Sequence, residues 1–250
     1  MINNTGSLQM NEVVIPEKMN IFQRIGNLFF SPKKLFAYTA KKPTILFPLI
    51  VLCVFSLLSS LLTVEQFRDT YIDTLYSTGK AMGGEITVDE AESFANWMAI
   101  GTVASTPLVM AATWLITTLI LYLVFRLAGC EKGLKKYFSM VAYISIISVI
   151  GQLLHGLYIY FTGDIMAVQV TSLASLINAD AVGNFVYGIA TNVEVFNIWT
   201  YILYGIGFVY TGGAKKRGAY IVTALIFVIV TLVSASFLSY SSNLAEIYNF

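Results

Sequence analysis

Five times along this chain of 250 residues a long stretch passes without a single Lys, Arg, Asp or Glu: Thr44–Val64, Ser93–Phe125, Tyr137–Gly163, Val195–Ala214 and Gly218–Ala245. A helix of about 20 apolar residues covers the hydrocarbon core of a bilayer, about 30 Å thick. Each stretch meets that length, the fourth only narrowly because Glu194 opens it. Composition agrees: 57% of the residues are hydrophobic, 12% are charged and the mean hydropathy is +0.73. Soluble domains carry about 25% charge, so too little polar side chain is present to cover a water-facing surface. That excludes a disordered chain and an ordinary soluble enzyme. A net charge of +1 with a pI near 7.7 provides no footprint for nucleic acid, which needs clustered, uncompensated base. The expected fold is all-α, a polytopic membrane bundle of five transmembrane helices with short interfacial helices. The spans are expected at about 44–64, 101–126, 137–162, 195–212 and 218–240, inside a membrane domain of residues 21–240. Polar tails of residues 1–20 and 241–250 flank it. Residues 165–193 are apolar too, but Asp180, Asn178, Asn184 and Asn192 interrupt them, which predicts short helices at the membrane surface.

Lys and Arg set the orientation. With five spans, thirteen of the fifteen basic residues fall on one side, in residues 1–43, 126–136 and 215–217. Only Arg68 and Lys80 fall on the other. That predicts a cytoplasmic N-terminus and an external C-terminus in the cell membrane. The first residues are polar, so the first span is expected to act as its own insertion signal.

Local signals place the ends of the helices. Ser31-Pro32 marks a helix start, since Pro lacks the N–H that a first turn leaves unpaired. The segment after it sets Leu35, Phe36 and Tyr38 against Lys33, Lys34, Lys41 and Lys42. With Ile21, Phe22, Ile25, Leu28 and Phe29 before it, this reads as an interfacial helix pair whose four lysines meet anionic headgroups of the inner leaflet. Plain positive-inside flanking accounts for the same lysines equally well. On the other side Thr87-Val88-Asp89-Glu90 matches a capping box, so the second span should begin near Val88 and stand above the membrane as half of a helical hairpin. Glu85, Asp89, Glu90 and Glu92 lack the ligand order of a calcium loop. Three of them sit where acid favours a helix start in any case.

No HExxH, GxSxG or phosphate-binding glycine loop occurs, and the chain has one histidine. The reading is therefore non-enzymatic, with no cofactor or metal. Cys53 and Cys130 are not in a CxxC spacing, and two free thiols are expected. No ionisable Lys, Arg, Asp or Glu falls inside a span, which argues against ion-coupled transport. The patterned feature is a polar stripe, Ser145, Ser148, Gln152 and His155, spaced 3, 4 and 3 on the third span. Ser56, Ser60 and Thr63 form a similar stripe on the first span, and Thr102, Thr106, Thr113 and Thr117 on the second. Polar groups cannot be left to hydrocarbon, so these faces turn inward. They make either a polar groove or the interhelical hydrogen bonds of a compact bundle. Trp97, Trp199 and the tyrosines of the third and fourth spans read as interfacial aromatics, and Gly205 and Gly207 as points of close backbone approach.

The order of several short features resembles the Yip (Ypt-interacting protein) family of five-span membrane proteins, in its prokaryotic-type branch. Those features are Ser31-Pro32 with Phe36, Pro43 and Pro48 entering the first span, and Gly129 turning into Lys135-Lys136-Tyr137-Phe138. Ala142-Tyr143 opens the third span and Phe196-x-Ile198-Trp199 the fourth. Many members place a proline soon after the Ala-Tyr pair, where this chain has Ile144-Ser145-Ile146. In the eukaryotic branch the resemblance implies Rab-type GTPase binding, carried with an Asp-Leu-Tyr-Gly-Pro-type motif. That motif is absent, so small-GTPase binding does not transfer. What the resemblance and the lack of reactive motifs imply together is a scaffold or accessory subunit for another integral membrane protein, such as an ABC-type exporter, or a role in membrane organisation. The competing expectation is a small channel or carrier for uncharged solute or lipid, using the stripes of the first three spans.

Overall fold

A computed structural model describes residues 15–81, 86–164, 169–177 and 183–248. Glu85, Asn178 and Asp180 lie outside them, as does most of the 1–20 tail. Among the described residues the chain is all-α. Eight helices follow in order: α1 (Ile21–Phe30), α2 (Pro32–Lys41), α3 (Leu46–Ala81), α4 (Val88–Leu127), α5 (Leu134–Thr162), α6 (Phe185–Asn192), α7 (Val195–Gly212) and α8 (Lys216–Tyr248). A single 3-10 turn, Leu173–Leu176, precedes α6.

Among the described residues four helices are long and apolar enough to cross a membrane, within Leu46–Tyr76, Val88–Leu127, Leu134–Thr162 and Lys216–Ser242. The expected fourth span, α7, falls short on those criteria. It has 18 residues, and Asn197, Thr200 and three tyrosines dilute it. Its position explains the composition. α7 packs against α2, α5 and α8, and Leu203, Tyr204, Ile206 and Phe208 are all buried. A helix covered by protein on most sides needs little lipid-compatible surface, and Val195, Ile198 and Ile202 are the large apolar side chains it leaves exposed. α4 begins at Val88 because Thr87 Oγ1 accepts from Glu90 N while the Glu90 carboxylate accepts from Thr87 N, at 3.4 and 3.0 Å. α3 and α4 run far past the expected spans and stay paired, forming the hairpin expected at the acidic end. Gly163 (φ +72°) and Gly213 (φ +68°) end α5 and α7 in the left-handed region that favours glycine.

The core sits at the basic end. There the first half of α5 is buried almost without interruption, from Tyr137 through Ile147. The connections at this end touch, Glu131 N donating to Gly212 O at 2.9 Å. Lys136 Nζ donates to Glu131 at 2.7 Å, which holds that carboxyl below its ordinary range. α2 is lodged in this core: Leu35 to Thr39 are all buried, five in a row. That is a deeper seat than a one-sided interfacial helix takes. Lys33, Lys34, Lys41 and Lys42 remain exposed around it, and Lys42 Nζ donates to Glu17 O at 2.6 Å. α1 keeps an exposed apolar face, with Phe22 and Phe30 almost wholly uncovered.

Arg24 ties α1 to the rest. Its Nε donates to Met19 O at 2.9 Å, Nη1 to Thr44 Oγ1 at 3.1 Å and to the Tyr143 hydroxyl at 3.4 Å, and Nη2 to the Tyr38 hydroxyl at 3.4 Å. One guanidinium thus clamps α1, α2, α5 and the lead-in to α3. Arg24→Leu is expected to destabilise the protein by about 1–3 kcal/mol, read from thermal unfolding in detergent, because polar partners lose their donor. Arg24→Lys should recover only part of that, since a compact ammonium lacks the planar fork that reaches four acceptors on four segments. Equal stability of all three proteins would remove the clamp from the account.

Candidate functional site

α3 packs along both α4 and α5, while α4 and α5 meet each other much less. The α3–α5 seam is close because Gly156 lies on it: a Cβ there would stand 2.9 Å from Ser59 Oγ. Ser59 Oγ donates to Gln152 O across the same seam at 3.1 Å. At the basic end α4 does reach α5. Trp114 Nε1 donates to Phe138 O at 3.2 Å, and the two rings lie 5.1 Å apart. A little further along, Cys53 Sγ of α3 is 3.7 Å from Pro107 O of α4. Toward the acidic end the two helices part, and a groove of about 830 Å³ opens between them with α3 as its floor.

The floor carries Ser56, Ser60 and Thr63, the α4 wall Thr102, Thr106 and Thr113, and the α5 wall Gln152 and His155. The three stripes therefore converge in part. Thr106 Oγ1 stands 2.8 Å from Thr102 O and 3.2 Å from Ser60 Oγ. Ser56 donates to Cys53 O at 3.1 Å and Thr63 to Ser59 O at 3.2 Å. The hydroxyl protons of Ser56, Thr63 and Thr106 are thus spent on carbonyls of the preceding turn, and their oxygens are left as acceptors. The carboxamide of Gln152 is exposed in the groove. His155 Nδ1 is shut off from it without a partner among the described residues, so Nε2 is the ring nitrogen a ligand can reach. Among the described residues no Lys, Arg, Asp or Glu lines the groove.

Ser145 and Ser148 are not part of it. Ser148 Oγ is 3.2 Å from Thr200 Oγ1 of α7, and Ser145 faces Tyr204 of the same helix. All four side chains of the stripe fall within an arc of about 80° on α5, but His155 is about 15 Å further along the axis than Ser145, so different neighbours face its two ends. The stripe starts on the α7 side and ends on the α3–α4 side. Thr117 also stays out, while Thr70 and Tyr71, beyond the expected end of the first span, come in. Following the α3 periodicity past Val64 would have found them. Lys33, Lys34, Lys41 and Lys42 stand at the opposite, basic end.

A smaller cavity of about 270 Å³ adjoins the groove and shares Gln152 with it. Ser148, Gln169, Asn192 and Asn197 line it together with Glu194. The Glu194 carboxylate is buried but satisfied: it caps α7 by accepting from Phe196 N and Asn197 N at 2.9 and 2.7 Å, and from Thr171 Oγ1 at 2.6 Å. Both cysteines are free thiols. Among the described residues no group of three or more His, Cys, Asp or Glu is placed to hold a metal ion.

The comparisons with known proteins agree with this membrane architecture. The chain is similar to membrane protein YknW of Bacillus subtilis (strain 168), with 25% identity over 229 residues, which cover 91% of this chain and 94% of that protein. No solved structure matches it. The Yip1 domain matches residues 26–238, from α1 to the last turns of α8. A match that runs through every helix of the bundle leaves one conclusion: the chain is a member of the Yip1 domain family.

Proposed function

We propose that this protein is a non-enzymatic accessory subunit of another integral membrane protein, and that its α3–α4–α5 groove is a blind binding site and not a conduit. The observation that carries this reading is the groove's single open end. Beyond Ser56 and Thr113 the three helices close, with the Trp114–Phe138 contact across α4 and α5 and Leu52, Met140 and Ile144 fully buried behind it. A pathway for solute would have to pass through close-packed side chains there.

The same reading takes α7 as a fifth span. Its 18 residues reach about 27 Å, close to the hydrocarbon thickness of about 30 Å, and it lies beside α5 from the Gly151–Phe196 contact to the Gly212–Tyr137 contact. Five spans put α1, α2 and the basic connections in the cytoplasm and the C-terminus outside. The four exposed α2 lysines then lie at the inner leaflet's headgroups, where anionic lipid attracts them.

Two measurements test this. Alkaline phosphatase fused after Phe250 should be active outside the cell membrane, and a fluorescent-protein fusion there should be dark; the opposite pattern removes α7 from the count of spans. Purification from native membranes in mild detergent, followed by mass spectrometry, should recover a membrane partner in stoichiometric amount. Recovery of the chain alone, together with solute flux in proteoliposomes holding only this protein, would replace the accessory role with that of a carrier.

A further inference from the structure

We infer that the α3–α4–α5 groove is a binding site for an uncharged amphiphile, a lipid with hydroxyl or ester groups at its head and no phosphate. The inference rests on the reading of the groove as a site with one open end, and it is independent of which protein the chain accompanies.

Size is the first argument. The groove holds about 830 Å³, inside the range of about 300–1,000 Å³ that small-molecule sites occupy. A transmembrane helix about 30 Å long and about 10 Å across fills roughly 2,400 Å³. The space takes a lipid's head with part of an acyl chain, the rest lying in the bilayer, and it is far too small to enclose a partner's helix.

Polarity selects within lipids. Val109, Met110 and Ile159 give the walls an apolar surface for a hydrocarbon chain, while the floor presents the acceptor oxygens of Ser56, Ser60 and Thr63. Ser56 and Thr63 have given their protons to backbone carbonyls, and their oxygens suit a ligand that brings hydroxyl donors. The Gln152 carboxamide can donate or accept. His155 Nε2 donates or accepts according to the ring's tautomer. A phosphate asks for the reverse, several donors and a cation, and none of the lining residues is charged. The hairpin that rises over the open end adds a field of the wrong sign for an anion. Arg68 there is engaged by Glu65 and Asp69 at 3.3 and 3.1 Å, while Asp73, Asp89 and Glu92 stand exposed. Because α4 and α5 part toward that end, a lipid can enter sideways from the membrane with its chain along α3.

Photolabelling tests this with the whole protein in nanodiscs. The probes are a diacylglycerol and a phosphatidylglycerol with the same diazirine-bearing chain. Peptide mass spectrometry of the wild type should place the diacylglycerol label on residues 56–63, 102–113 or 152–159, about tenfold above the phosphatidylglycerol label at the same positions, as expected for one or two hydrogen bonds gained against an unsatisfied phosphate. Thr106→Leu with Thr113→Leu, which fills the groove, should remove that label and leave labelling of the lipid-facing α8 surface around Val233 unchanged. Gln152→Leu, which changes chemistry more than volume, should lower the preference between the two probes without abolishing binding. Equal labelling by both probes, or groove labelling that survives the filling substitutions in a protein of unchanged helicity, overturns the inference. Should the double variant not fold, the Gln152→Leu comparison alone decides it: an unchanged ratio of the two probes refutes the site. These readouts do not depend on a partner, so the accessory role stands or falls separately.

Discussion

Phe36→Ala is expected to destabilise the folded protein by about 3–5 kcal/mol, the cost of a cavity where a large ring was fully enclosed. Replacing Lys33, Lys34, Lys41 and Lys42 by alanine should stay within about 0.5 kcal/mol per site. A detergent-unfolding titration followed by helical circular dichroism measures both. The contrast follows from how α2 is held. A helix resting on a surface hides one stripe, an arc of about 100°. α2 instead buries Leu35, Phe36, Ala37, Tyr38 and Thr39 consecutively, which needs neighbours on most sides. Those neighbours are α1, α5 and α7, and Thr211 Oγ1 of α7 is 3.5 Å from Phe36 O. The lysines point away from all of this. If α2 were only an interfacial anchor, the order would invert: Phe36→Ala would be mild, and the lysine variant would loosen the N-terminal region from anionic vesicles.

Much of the fold is written in the sequence because lipid is an unforgiving solvent. A charge-free run of sufficient length has few alternatives to a spanning helix, so the places of α3, α4, α5 and α8 could be read directly. The Thr87–Glu90 box located the start of α4 to the residue because a cap is a local interaction. α7 was harder for the opposite reason. Its tyrosines and Asn197 are matched by protein, and burial in protein leaves no simple hydropathy signal. The candidate site was legible in the same uneven way. Gln152 and His155 could be set on one face with the hydroxyl stripes of the first two spans, since polar faces must turn from lipid. Ser145 and Ser148 went to α7 because the stripe extends about 15 Å along α5 and the helix's neighbours change over that length. The depth of α2 was not visible, because the partners of Leu35 and Phe36 lie more than a hundred residues away in α5 and α7. Nor was the role of Gly156, which depends on Ser59 arriving opposite it.

Gly156→Leu should be the most damaging single change in the membrane-spanning part, lowering the yield of folded protein and the stability of what remains by about 1–3 kcal/mol or more. Helices in lipid are held by close packing and short polar contacts, with no hydrophobic gain between them, so a small residue at a seam matters more than its size suggests. Even a Cβ at this position would lie 2.9 Å from Ser59 Oγ and 3.3 Å from Ser59 O. The hydroxyl could swing aside, but it would then lose its bond to Gln152 O, and the backbone oxygen cannot move without α3. Gly156→Ala should therefore cost less than Gly156→Leu, and Ser59→Gly should recover part of the alanine variant's loss and little of the leucine variant's. That coupling is what a double-mutant cycle reads. Gly101 is the control: nothing lies within 4 Å of a Cβ built there, so Gly101→Ala should be neutral or stabilising by up to about 1 kcal/mol from helix propensity. The leucine variant also bears on function, because Gly156 lies on the groove wall beside Gln152 and His155. Pushing α3 away from α5 moves the hydroxyl floor relative to those two side chains. A Gly156→Ala protein that folds should thus show weaker diacylglycerol photolabelling at 152–159. Full labelling with reduced stability would separate the seam from the site and leave Gly156 a purely structural residue.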